Sequence, residues 1–365
     1  MQDWLWMTAA DLGRGIAAGE IDPMALTETY LAAIDAHPMT PRIYARVTHD
    51  RARAEAKAAS ARAKAVQRLS PLDGVPISWK DLFDTANIGT EAGTKLLEGR
   101  VPTADADVLK AATVAGLVCL GKTHMSEIAF SGLGLNPIMG TPPCVNDDAA
   151  VPGGSSSGAA ASVASGLAAA AVGSDTGGSV RIPSAWNDLV GLKTTHGRLS
   201  VEGVVPLCQT FDTVGPLCRS VEDAGLMLAL LEGRKPADLT ATSLTGLRFA
   251  ILDTITLDDL RDAPRAAFQS AVERLQAAGA QIVHFEMPEL HDAFSHAFNL
   301  YAADSYGHWK DKVEAAPEKM FPQILERVRG GQSVMGADYV ASWIRMREIR
   351  KIYAALTAGF DAVIM

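Results

Sequence analysis

Three short stretches of this sequence carry residue types that could do nucleophilic chemistry. Residues 152–158 read Pro-Gly-Gly-Ser-Ser-Ser-Gly and residues 173–183 read Gly-Ser-Asp-Thr-Gly-Gly-Ser-Val-Arg-Ile-Pro, so Ser155 and Ser179 stand 24 positions apart across an alanine-rich run. Far upstream, Lys80 closes the apolar segment Val75-Pro-Ile-Ser-Trp79. A serine hydroxyl is a weak nucleophile unless a neighbouring base takes its proton. Lysine, with a reference pKa of ~10.4, can be that base only where burial or nearby charge favours the neutral amine. The end of an apolar strand provides that desolvation. A carboxylate close by would reverse it, so Asp81 and Asp84 are expected to point away from Lys80. The glycines of Thr176-Gly177-Gly178-Ser179 can turn successive N–H groups toward one point. Such an oxyanion hole loses ~3–4 kcal/mol of transition-state stabilisation when one donor is removed.

Three patterns in the chain imitate other sites. Gly116-Leu-Val-Cys-Leu-Gly-Lys-Thr123 matches the phosphate-loop spacing, but a helical pattern precedes its first glycine and the intervening residues read as a strand, which inverts the required order. Gly154-Ser-Ser-Ser-Gly158 matches a nucleophile elbow centred on Ser156. An elbow must follow a buried strand, and the residues before this one are polar and end in Pro152. Five later histidines (His196, His284, His291, His296, His308) keep a Ser-His-Asp hydrolase using Ser156 as an alternative. Asp175-Thr-Gly177 matches the core of an aspartic protease, which needs two facing copies where this chain has one. No histidine spacing suits a metal.

The elements that must position these residues alternate between helical and strand-like patterns. Residues 8–66 read as helical with Thr8 as an N-cap, and Val75–Trp79 as a buried strand delivering Lys80. Strand patterns recur at 117–120, 168–172, 248–252 and 281–285, and helical ones at 105–115, 224–231, 265–278 and 290–356. This alternation implies an α/β fold around a buried sheet, and no linker or repeat divides it, so 1–365 reads as a single domain. The aromatic segment from Phe294 to Trp309 could wall a pocket, although helix-face packing is the better account of most of it.

Bulk properties narrow the function. The chain is 48% hydrophobic with a net charge of −9 and a pI near 5.4, a globular composition that argues against a nucleic-acid groove. Four scattered cysteines suit neither a disulfide framework nor a zinc site, and Cys119 reads as a buried hydrophobe. No signal peptide or membrane-spanning run is evident, which points to the cytoplasm.

Taken in order, the motifs resemble the amidase signature family. The matching stretches are Gly74–Asp81, Gly121–Glu127, Pro152–Ser156, Gly173–Pro183 and Val190–Lys193, with Ser157 and Thr194 as local departures. The resemblance implies a single-domain α/β fold, a mixed sheet covered by helices on both faces. It also implies a triad of Ser179 as nucleophile, Ser155 as bridging serine after a cis Gly154–Ser155 bond, and Lys80 as base. Thr176, Gly177, Gly178 and Ser179 would form the oxyanion hole, with Ser156, Asp175 and Arg181 in support and Arg181 paired to Asp175. Met125, Ser131 and Gly132 would touch the acyl group. The implied function is hydrolysis of a small carboxamide or ureide through an acyl-enzyme, without metal or cofactor. Nucleic-acid and membrane partners are not expected; a homodimer is possible. A second reading is the glutaminase component of a tRNA-dependent amidotransferase, and a third a non-catalytic binding protein. Residues 360–365 read as a strand entering the sheet, short of the C-terminal tail usual in the family.

Overall fold

The computed structural model describes residues 2–239 and 243–365, which pack as two compact units: Met1–Ala237 with His308–Val328, and Asp238–Gly307 with Arg329–Met365. The first is built on strands β1 (Tyr44–Val47), β2 (Pro76–Lys80), β3 (Val118–Thr123), β4 (Ala170–Asp175), β5 (Val190–Gly191) and β6 (Thr213–Cys218). They form one mixed sheet in the order β1-β3-β2-β4-β6-β5. The central trio β3-β2-β4 is parallel and the flanking pairings are antiparallel. Every residue of β2, β3, β4 and β6 is buried, so both faces of the sheet are covered.

The helices of this unit are α1 (Ala9–Ala17), α2 (Pro23–Ala36), α3 (Thr40–Ile43), α4 (His49–Lys64), α5 (Asp107–Val114), α6 (Ser157–Ala164), α7 (Arg181–Trp186) and α8 (Val221–Leu231). Residues 8–66 are therefore not continuously helical. Thr8 caps α1 as expected, accepting from the Asp11 N–H at 3.0 Å. Asp22 and Pro23 then restart the chain as α2, and β1 interrupts it to pair with β3. Packing against β3 decides the conformation of β1, which four residues of propensity could not.

The second unit holds the parallel sheet β8-β7-β9, from β7 (Arg248–Leu252), β8 (Gln281–Phe285) and β9 (Ala362–Ile364). Here too lie α9 (Asp262–Ala277) and α12 (Gly336–Thr357), with a core of Leu252, Met287 and Ile349. The strand read at 360–365 is β9, which pairs with β7. The helical stretch at 290–356 is broken by Pro317, Pro322 and Gly330-Gly331. It resolves into α10 (Leu290–Ala315), α11 (Pro322–Arg329) and α12. Phe294 and Phe298 are exposed on α10, whereas Trp309 is buried with its indole N–H on the Pro206 carbonyl at 3.0 Å. Among the described residues no helix is long and apolar enough to cross a membrane.

Candidate active site

Because β3, β2 and β4 run parallel, their carboxyl ends open on the same edge of the sheet, the edge where α/β proteins build sites. From that edge β2 delivers Lys80, β3 leads into the loop that carries Met125, and β4 leads through Ser174 and Asp175 to Ser179.

Lys80 is wholly buried, and its Nζ donates to Ser155 Oγ at 2.7 Å and to Ser174 Oγ at 2.8 Å. Burial pushes its pKa down to about 7, against the upward pull of Asp212 and Asp175. Neither neighbouring carboxylate in sequence reaches it. Asp84 makes a two-pronged pair with Arg100 at 2.6 and 2.8 Å, and Asp81 turns to Lys122 and Arg46, each at 3.4 Å. Lys122 is itself buried, with Nζ on the Phe83 carbonyl at 2.6 Å and Thr90 Oγ1 at 2.9 Å. It lies inside β3, so residues 116–123 form a strand and its approach and cradle no phosphate. Trp79 packs edge-on against Phe83 with ring centroids 5.3 Å apart and fills core.

The Gly154–Ser155 peptide bond is cis. Its surroundings are tight: a Cβ on Gly154 would sit 2.5 Å from the Gly134 nitrogen, so only glycine fits. The loop after β3 straps this segment on both sides. Gly132 accepts from the Gly154 N–H at 2.8 Å, Leu133 from Gly153 at 3.1 Å, and Ser155 from Ser126 at 3.1 Å. Ser131 accepts from the Ser126 hydroxyl, and the Met125 carbonyl from Asn136 Nδ2. Met125 is fully buried, Ser131 is held by Ser126 and Leu133, and Gly132 contacts Gly154 of the cis peptide. Ser156 precedes α6, fully buried, and its hydroxyl donates to the Ser174 carbonyl at 3.2 Å. No strand leads into it, so no elbow forms. His196, His284 and His296 are engaged by Gln209, Asp253 and Ser342.

The two serine loops meet where the Ser156 N–H donates to the Ser179 carbonyl at 3.2 Å. Ser179 keeps 7% of its surface exposed, whereas Lys80 and Ser155 keep none. Its hydroxyl makes no hydrogen bond among the described residues. Arg181 pairs with Asp175 through two bonds of 3.0 and 2.9 Å, the pairing expected from the sequence. Burial pushes the Asp175 carboxyl up, but Arg181 and the N–H groups of Gly178 and Val180 outweigh it and hold the carboxyl below its usual value.

That arrangement corrects one expectation. The Gly178 N–H donates to Asp175 Oδ1 at 2.8 Å, because a buried carboxylate must satisfy its lone pairs, so it is not among the open oxyanion donors. The N–H groups of Gly177 and Ser179 carry no such bond among the described residues. Two residues escaped the sequence reading altogether. Ser174 is the second acceptor for Lys80, and Asp212 is a buried carboxylate holding the Thr176 hydroxyl. Ser174 stands within a matched motif; Asp212 gave no signal.

The chain is 34% identical over 377 residues to the A subunit of glutamyl-tRNA(Gln) amidotransferase from Anaeromyxobacter sp. (strain K), covering 94% of this chain and 76% of that protein. It is 37% identical over 335 residues to 2-amino-5-chloromuconic acid deaminase of Comamonas testosteroni, covering 89% and 71%. It spans 59% and 63% of the length of two further amidotransferase relatives of the same kind. A crystal structure of an amidase superposes with a TM-score of 0.90 at 30% identity, covering 98% of this chain and 81% of that one. The Amidase profile matches residues 25–365, and the chain belongs to that family, the amidase signature enzymes.

Proposed function

We propose that this protein hydrolyses the C–N bond of a small carboxamide or ureide through an ester on Ser179. The observation that carries the reading is the buried Lys80 amine, hydrogen-bonded to Ser155 Oγ at 2.7 Å and held at a pKa of about 7 by burial. An amine with that pKa is substantially neutral at neutral pH and can accept a proton. In this reading Ser179 Oγ attacks the amide carbon, Ser155 takes the hydroxyl proton, and Ser155 passes its own to Lys80. The N–H groups of Gly177 and Ser179 receive the oxyanion. The relay then reverses: the leaving nitrogen gains the proton and departs as ammonia or an amine, and water hydrolyses the ester. Arg181, through Asp175, and Ser156 hold the two loops in register. Met125, Ser131 and Gly132 border the acyl group, and a cytoplasmic location goes with this reading.

The test is covalent. A fluorophosphonate is expected to add one label, on Ser179, and Ser179→Ala to abolish it; a label that follows Ser156 instead would overturn the mechanism. A second reading rests on the amidotransferase relative: the chain would release ammonia from glutamine for a partner. Ammonia release from glutamine alone, out of a panel of aliphatic, aromatic, amino-acid and ureido amides, would favour it.

A further inference from the structure

Asp212 lies between β5 and β6, outside the five short motif stretches read from the sequence, and it is 7% exposed. Its two oxygens do different things. Oδ1 accepts from the hydroxyl of Thr176, the first residue of the loop that ends in Ser179. Oδ2 accepts from the Leu207 and Cys208 N–H groups at 2.9 and 3.0 Å, which ties that loop to the turn before β6. The far end of the same loop is held by Asp175, which takes the Gly178 and Val180 N–H groups. Two carboxylates therefore clamp the short Thr176–Ser179 turn from opposite ends, and the N–H groups of Gly177 and Ser179 lie between them.

We propose that Asp212 is a positioning residue of this site: its carboxylate fixes the Thr176 end of the nucleophile loop to the turn before β6. It works through Thr176, and its charge, which favours the ammonium form of Lys80, gives a second readout. This inference rests on the hydrolase reading above.

The charged groups around Lys80 can be named element by element. Asp212 and Asp175 are the carboxylates that favour its protonated form. Asp81, next to it on β2, is engaged by Lys122 of β3 and Arg46 of β1. Arg181 of α7 is paired to Asp175, and Lys193 donates to the Thr194 carbonyl with Asp175 and Arg181 as its charged neighbours. Among these groups Asp212 can lose its charge with least change in hydrogen bonding. In Asp212→Asn the amide oxygen can still accept from Leu207 and Cys208 while the amide nitrogen donates to Thr176 Oγ1. With the anion gone, the ammonium form of Lys80 loses support, so the amine deprotonates at lower pH.

The experiment follows fluorophosphonate labelling of Ser179 against pH, which needs no known substrate. Asp212→Asn is expected to move the acid limb of the labelling rate to lower pH by about half a unit or more while the plateau is retained. Thr176→Val keeps the charge and cuts the tie, so the plateau rate should fall about tenfold or more with the limb in place. Thr176→Ser, which restores a hydroxyl, should recover it. An unmoved limb in Asp212→Asn together with a wild-type plateau in Thr176→Val would overturn the proposal. If Asp212→Asn does not fold, the contrast between Thr176→Val and Thr176→Ser decides alone, and equal plateaus refute the clamp. Absence of any label on Ser179 in the wild-type protein would instead overturn the hydrolase reading.

Discussion

In the hydrolase reading proposed above, Lys80 is the residue on which both stability and reactivity turn. Its amine has a pKa of about 7 in the folded chain against an ordinary 10.5, and the cause is burial. Between those pH values the unfolded chain holds more protons than the folded one, so stability climbs with pH across the window. The penalty is complete below about 7 and vanishes above 10.5. At 1.36 kcal/mol per pH unit it amounts to about 5 kcal/mol. Lys80→Met removes it, while leaving the Ser155 and Ser174 hydroxyls without a donor at a cost of about 1–3 kcal/mol each. The readout is therefore the slope: urea unfolding at pH 6.5 and 9.5 should show wild-type stability rising relative to Lys80→Met. A parallel pair of curves would refute the depressed amine. The same deprotonation predicts that kcat/KM of the wild-type protein rises through pH 7, and that Lys80→Met is inactive on every amide.

At this scale, what is legible in the sequence is what local spacing carries. Ser155, Asp175, Ser179 and Arg181 stand in short stretches whose dense glycine and serine mark them out in the sequence. The partners that act across the fold are illegible. Ser174 reaches Lys80 over 94 residues only because β2 and β4 are parallel neighbours, and Asp212 reaches Thr176 over 36 through a turn with no pattern of its own.

Among the elements, α6 couples the fold most directly to the site, because it starts directly after Ser155 and Ser156. Its alanine-rich sequence reflects close approach rather than propensity. Ala159, Ala160 and Ala161 are fully buried, and a Cβ on Gly158 would lie 2.6 Å from the carbonyl oxygens of both Ile43 and His124. Backbone atoms cannot rotate aside as a side chain can, so the helix itself must move. Gly158→Ala is expected to lower stability by about 1–3 kcal/mol in urea unfolding. By displacing Ser155 from Lys80 it should also slow Ser179 labelling, by up to about a hundredfold. Unchanged stability and labelling would mean that the helix adjusts without cost. The close packing that makes α6 informative hid β6 from the sequence. Gly215 and Pro216 interrupt its apolar run, and a Cβ on Gly215 would lie 2.0 Å from the Leu192 carbonyl, so the neighbouring chain dictates the glycine.

Across the whole molecule, burial divides the two units by themselves into different kinds of structure. In the first, β2, β3, β4 and β6 are buried at every position, and Lys80, Ser155, Ser179 and Asp212 belong to this unit. In the second, α9 has no buried residue over its 16 positions, and β8 is exposed or half-buried throughout. Amide exchange reports the free energy of local opening, which rises with the apolar contact that must be broken. Native-state hydrogen–deuterium exchange is therefore expected to protect β2 and β4 about a hundredfold or more beyond α9 and β8. The Ser179 adduct should raise protection further in the β4 segment, because the label is tethered four residues beyond that strand. Unfolding followed through Trp79 and Trp309, both in the first unit, should then lag unfolding followed by exchange at β8. Equal protection at β2 and β8, with coincident transitions, would overturn this division of stability.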